Sequence, residues 1–175
     1  RFLGNQIAFG GNANDINNYL SSPQVFNTIF SDSSGCNYGG SIVNQNQSNP
    51  VFSDCEFRNG NASIAGGVCY NNFSAPLFLR CIFMGNKAGD GGVCYNDNAS
   101  NAKIVNCISS GSAATGQGSF MFNSNSNPVL VNSTIVNATL PSVGNSFRGG
   151  VIVNTGTSQA AVSNSILWGN TVVSG

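Results

Sequence analysis

The chain of 175 residues has no histidine, one tryptophan, and only six basic and six acidic side chains. Without histidine there is no Ser-His-Asp relay. The missing imidazoles, together with the lack of any Cys-x-x-Cys pair, argue against a zinc site. Charged residues make up 7% of the chain, against about a quarter in ordinary domains. Formal net charge is zero. Nucleic acid needs a basic face to neutralise phosphates, and an anionic membrane surface needs a basic cluster, so neither is expected as a partner. No apolar run reaches the roughly 20 residues that span a bilayer. No basic-then-apolar leader opens the chain. It begins at Arg1 rather than Met, which reads as a processed chain or a piece of a larger surface protein.

What is abundant is asparagine (28), serine (24) and glycine (22). Such polarity is compatible with disorder. However, 41% of residues are hydrophobic, 12 of them phenylalanine, and they recur at regular intervals. The interval is set by an internal repeat. Gly-Gly-x-x-x-Asn appears as GGSIVN at 39–44, GGVCYN at 66–71 and again at 91–96, GSFMFN at 118–123 and GGVIVN at 149–154. A degenerate copy, GGNAND, lies at 10–15. A second column reads PQVFNTIF at 23–30, PVFSDCEF at 50–57, PLFLRCIF at 76–83, AKIVNCIS at 102–109, PVLVNSTI at 128–135 and AAVSNSIL at 160–167. Its small residue is Thr28, Cys55, Cys81, Cys107, Ser133 and Ser165, at gaps of 27, 26, 26, 26 and 32, the last carrying an insertion around 138–148.

A period near 26 built from short β-branched and aromatic segments, without a 3.6-residue rhythm, predicts an all-β solenoid. The expected fold is a right-handed parallel β-helix of about six coils of ~26 residues, forming one domain over 1–175. Residues one period apart then form ladders. Asn44, Asn71, Asn96, Asn123 and Asn154 are expected at strand ends. There asparagine tolerates a left-handed backbone, and stacked amides can bond from coil to coil. Ile42, Cys69, Cys94, Met121 and Ile152, two residues earlier, should face inward.

Phe2-Leu-Gly-Asn5, Phe83-Met-Gly-Asn86 and the near match Leu167-Trp-Gly-Asn170 carry a Phe-x-x-Asn motif, and GGV or GGS follows it in the repeat. In these features the chain resembles the β-helix repeats of polymorphic outer-membrane proteins. The closing NSILWGN is similar to the ends of large secreted bacterial β-helix proteins. The resemblance implies a secreted or cell-surface location in passenger-like, adhesive regions. That family's membrane-anchoring barrel has no counterpart in the sequence.

Cys55, Cys81 and Cys107 share one ladder, and Cys69 and Cys94 share another. Three residues in one column cannot all pair within it, and parallel Cβ vectors are poor disulfide geometry. Buried free thiols serving as small apolar residues are the favoured reading, with ladder or cross-core disulfides as the alternative. Cys36 stands outside both columns and is expected to be exposed. For catalysis, Asp54 and Glu56 sit two apart, with Arg58 and Arg80 nearby. A general acid–base cluster is conceivable. A solvated Asp54–Arg80 pair between adjacent coils is the simpler reading, so neither enzymatic activity nor a cofactor is expected. Six Asn-x-Ser/Thr triplets are about what chance gives at this composition, and they carry no information.

If Cys55 and Phe57 point inward, the column Ile29, Glu56, Ile82, Ile108, Thr134 and Ile166 points out, followed by Leu3, Met84, Val136 and Trp168. A largely apolar outer stripe suggests a cover: the insertion 138–148, the irregular segment 12–22, or another chain. Phe2 and Leu167 both align with Phe83, so the chain starts and stops at nearly the same phase, without a polar cap at either end. Open strand edges invite pairing, and a head-to-tail contact that does not close makes a filament. The sequence therefore predicts a structural extracellular solenoid, a building block of a filament or adhesive surface layer. Self-association would use Phe2, Ile29, Ile82, Ile108, Ile166 and Trp168. A polysaccharide-binding or polysaccharide-cleaving β-helix is the alternative, with surface glycans as partners.

Overall fold

A computed structural model of the chain describes residues 2–3, 13–141 and 149–173. Among them there is no helix. Short parallel strands stack as a β-solenoid of about five turns. Face I holds seven strands: Phe2–Leu3, Ile29–Ser31, Glu56–Arg58, Ile82–Met84, Ile108–Ser110, Thr134–Val136 and Ile166–Trp168. Face II holds six: Ile16–Tyr19, Ile42–Gln45, Cys69–Asn72, Cys94–Asp97, Met121–Ser124 and Ile152–Thr155. Face III also holds six: Gln24–Phe26, Val51–Ser53, Leu77–Leu79, Lys103–Val105, Val129–Val131 and Ala161–Ser163. A narrower face IV stacks Lys87–Ala88, Ala113–Ala114, Thr139–Pro141 and Thr171–Val173. Cys36–Tyr38 and Ala62–Ala65 continue it downward through the bridges Asn61–Lys87 and Ala65–Asp90.

The corners explain the composition. Four columns of residues have φ between 49° and 70°. One follows face II: Leu20, Asn46, Phe73, Asn98, Asn125 and Gly156. One follows face III: Asn27, Asp54, Arg80, Asn106, Asn132 and Asn164. One follows face I: Asp32, Asn59, Gly85, Gly111, Asn137 and Gly169. The last precedes face II: Ala13, Gly39, Gly66, Gly91 and Gly118. This left-handed region disfavours a Cβ, and glycine and asparagine bear it best. The Gly pair divides two tasks. Gly66 takes φ +70°, while a Cβ on Gly67 would stand 2.1 Å from the Gly92 carbonyl oxygen of the next rung.

The ladder asparagines behave differently from expectation. Asn44, Asn71, Asn96 and Asn123 lie inside face II strands, are buried, and do not have positive φ. The asparagines that turn the chain are a separate set at the corners. The degenerate motif at 10–15 also falls off register, and part of it lies outside the described residues. The true rung is Ile16–Tyr19, with Ile16 opposite Ile42 and Asn18 opposite Asn44. The segment 12–22 thus supplies a strand of the stack and is not a cover.

Two phenylalanine columns fill the lower core. Phe30, Phe57 and Phe83 stack with centroids 4.8 and 5.4 Å apart, and Phe52 stacks on Phe78 at 5.2 Å. The columns meet edge-to-face, as Phe57 does with Phe78 at 5.8 Å, the arrangement that ring quadrupoles favour. Above Phe83 the first column shrinks to Ser109 before Ile135. At that level Phe120 replaces the Val68 and Val93 of lower rungs and meets Phe83 edge-on at 6.4 Å. A large residue on one wall thus accompanies a small one on another, so that the core stays filled.

The Phe-x-x-Asn motif has a mechanical role. Asn86 donates to the Phe57 carbonyl at 3.0 Å and accepts from the Gly60 amide at 2.8 Å. Asn170 repeats this with Ile135 and Ala138 at 3.2 and 2.8 Å. Each buckles its rung to the one below. Of the two rungs between them, the lower has serine at both motif positions, and its buried Ser109 and Ser112 hydroxyls have no partner among the described residues.

Candidate functional site

Four features of the stack bear on function: its internal ladders, its thiols, its outer columns and its upper end. The asparagine ladder on face II is continuous and has a direction. Asn18 Nδ2 donates to Asn44 Oδ1 at 2.8 Å, Asn44 to Asn71 at 2.8 Å, and Asn71 to Asn96 at 2.9 Å. Asn96 then donates to Asn123 at 2.8 Å, and Asn123 to Asn154 at 2.9 Å. Every bond runs the same way, so Asn154 Nδ2 has no onward acceptor among the described residues, and Asn18 Oδ1 no donor. A second ladder escaped the sequence reading. The amides of Ser21, Ser48, Ser74, Ser100 and Ser126 donate to the hydroxyls of Ser48, Ser74, Ser100, Ser126 and Ser158. Its signal was a serine three or four residues after each ladder asparagine.

All six cysteines are free and buried. Cys69 and Cys94 are sheet partners with Sγ atoms 3.2 Å apart. Cys55, Cys81 and Cys107 share one column, with the Cys81 amide donating to Cys107 Sγ at 3.3 Å and the Cys107 amide to Ser133 Oγ at 3.1 Å. The expected exposure of Cys36 is overturned: only 1% of it is accessible. It opposes Ala62 on face IV and packs with Ala62 and Ala88. In the lower rungs its column is small, with Ala62, Ala88 and Ala114, and no other rung of it uses cysteine. Burial pushes its thiol up to about 11.

Outside, face I carries Ile29, Glu56, Ile82, Ile108, Thr134 and Ile166 in register. The neighbouring column is Ser31, Arg58, Met84, Ser110, Val136 and Trp168, with Leu3 beneath Ser31. Ile108, Ile166 and Trp168 are exposed, while Ile29 and Ile82 are half-buried. The stripe is interrupted by the Glu56–Arg58 ion pair and by serines. Phe2 pairs its backbone with Phe30 as the lowest strand of face I, and its side chain lies outside the described residues. Asp54 and Arg80 pair at a corner, Arg80 Nε to Asp54 Oδ1 at 2.7 Å and Nη2 to Oδ2 at 2.6 Å. The guanidinium bond holds the Asp54 carboxyl below its ordinary range.

Face II carries an outer aromatic column. Tyr70 stacks on Tyr95 at 5.5 Å, Tyr95 on Phe122 at 4.9 Å, and Tyr38 tilts against Tyr70 at 4.9 Å. Burial pushes the Tyr95 hydroxyl up to about 12.

At the top, Val162, Leu167 and Val172 continue the inward columns of Leu130, Ile135 and Leu140. Those three are buried, yet Val162, Leu167 and Val172 are 46%, 42% and 62% exposed. They are core residues with no rung above them among the described residues.

No family model, curated protein or solved structure matches the chain.

Proposed function

We propose that the chain is a non-enzymatic structural solenoid of a secreted or cell-surface layer, and that it associates with further copies of itself end to end. The exposed core positions Val162, Leu167 and Val172 carry this reading. Burying such side chains is favourable at about 25 cal/mol per Å². The strands that hold them are also the last of their sheets among the described residues, and an open sheet edge templates pairing. The ladder direction supplies polarity: an Asn154 amide donor at one end suits an Asn18 carbonyl acceptor at the other. A contact of this kind is head-to-tail and leads to a filament unless it closes. The outer residues Ile108, Ile166 and Trp168 would then serve lateral contacts. The surface location rests on the resemblance of the Phe-x-x-Asn and Gly-Gly repeats to polymorphic outer-membrane proteins.

The carboxylates support a non-enzymatic role. Asp54 and Glu56 each face an arginine at the solvent boundary, where such pairs are solvated. The aromatic column gives little support to sugar binding, because Tyr70, Tyr95 and Phe122 have their ring faces occupied by one another.

Sedimentation velocity over a concentration series tests the proposal. The native chain is expected to grow in mass with concentration, and a Leu167→Lys, Val172→Lys variant to stay monomeric. A native chain that is monomeric throughout, or a variant that still associates, overturns end-to-end stacking.

A further inference from the structure

We propose that Cys69 and Cys94 form an intramolecular disulfide that staples two adjacent rungs of face II. Their Sγ atoms lie 3.2 Å apart, and the residues are in-register parallel partners. Neighbouring parallel strands hold such Cα atoms about 4.8 Å apart, within the 4.4–6.8 Å that a disulfide bridges. Parallel Cβ vectors at that spacing leave the Cβ atoms slightly beyond the 3.5–4.5 Å usual in a disulfide, so closing the bond to about 2.05 Å takes side-chain rotation together with a small approach of the two strands.

The surroundings distinguish this pair from the other thiols. Cys55 Sγ faces the carbonyls of Val25 and Ser53, Cys81 those of Phe52 and Leu79, and Cys107 those of Phe78 and Val105. Cys36 faces the carbonyls of Gly39, Gly40 and Asn61. The thiols of Cys55, Cys81 and Cys107 also bond one another along their column, but each is turned to two carbonyls, whereas Cys69 and Cys94 face each other and the asparagine ladder. Asn71 Nδ2 stands 3.3 Å from Cys94 Sγ and 3.6 Å from Cys69 Sγ, while the Cys94 thiol donates to Asn96 Oδ1 at 3.4 Å. Both sulfurs thus lie beside one side-chain amide, a neighbour that none of the other thiols has among the described residues.

The step balances with a small-molecule disulfide such as oxidised glutathione as oxidant. A Cys69 or Cys94 thiolate attacks it, expelling one glutathione thiolate and leaving a mixed disulfide. The second cysteine loses its proton to solvent and displaces the other glutathione. Two protein S–H bonds and one glutathione S–S bond break, one protein S–S bond forms, and two electrons pass to glutathione. Both residues are fully buried in the fold. The bond therefore forms while the rungs are still open and is shielded from reductants once they close.

The test is refolding of the full chain in a glutathione redox buffer, acid quench, alkylation without reduction, and peptide mapping by mass spectrometry. The expected result is four alkylated cysteines and one linked peptide pair containing Cys69 and Cys94, with a urea midpoint above that of the reduced protein. Cys94→Ala should give five alkylated cysteines, and the native map stands without it should that variant not fold. Six alkylated cysteines in folded protein, or a bridge within Cys55, Cys81 and Cys107, would overturn the proposal.

Discussion

Replacing Asn96 by Ala removes the middle of the amide ladder and leaves two buried groups stranded. Asn71 Nδ2 loses its acceptor at 2.9 Å, and Asn123 Oδ1 loses its donor at 2.8 Å. All three residues are fully buried, so water does not replace what is lost. An unsatisfied buried group costs about 1–3 kcal/mol. Asn71 keeps a weak contact to Cys94 Sγ at 3.3 Å, which trims one of the two penalties. The summed loss is about 3–5 kcal/mol, including the small void left behind. Asn154→Ala is the matched control. Asn154 is exposed and ends the ladder, so water can take over Asn123 Nδ2 and the loss is about 0.5–1.5 kcal/mol. Asn96→Asp keeps the shape but sets an acceptor against Asn123 Oδ1. Protonation restores a donor, so the folded-state pKa is raised. The variant's relative stability is then fullest below the unfolded carboxyl value and falls as pH rises through the folded one. Urea titration followed by circular dichroism reads all three. Equal losses at Asn96 and Asn154, or a loss below about 1 kcal/mol at Asn96, would refute the ladder's structural role.

Other perturbations follow from the core and corners. Phe57→Ala, which removes a ring stacked on both Phe30 and Phe83, should cost about 3–5 kcal/mol by urea titration. Ser109→Ala should be neutral or stabilising by up to about 1 kcal/mol, since it deletes a buried hydroxyl without a partner among the described residues. Arg80→Asn exchanges an exposed ion pair worth about 0–1 kcal/mol for a residue better suited to φ 52°, so thermal melting should show little change or a gain. In the reduced protein, burial pushes Cys36 up to about 11 from an unfolded 9.0. The unfolded chain loses this proton first, so stability should fall as pH rises from about 9 to about 11, by about 1.4 kcal/mol per pH unit.

The period and its inward columns could be read in advance because each rung must match the one below in shape, and that requirement writes itself into residue spacing. The Asp54–Arg80 pair was legible for the same reason. Columns satisfied by dissimilar residues were not. A left-handed corner accepts Leu20, Asn46, Phe73 and Gly156 alike, so backbone geometry, not side-chain identity, is what recurs. Cys36 shares its column with alanines, and comparing cysteines only with cysteines concealed it. The serine ladder drifts between three and four residues from its asparagine, as at Asn71–Ser74 and Asn96–Ser100. At Asn98 and Ala99 the longer corner takes two consecutive left-handed residues. The upper end was legible only as a phase coincidence, because exposure of Leu167 depends on what lies above it.

End-to-end stacking requires that rungs continue from one molecule to the next. Negative-stain electron microscopy of the purified chain across a concentration series addresses it most directly. The long faces hold six or seven stacked strands, which at about 4.8 Å give an axial rise of roughly 30–34 Å per copy. End-to-end stacking predicts unbranched filaments with that repeat, lost in the Leu167→Lys, Val172→Lys variant. Dispersed single particles at every concentration would contradict it.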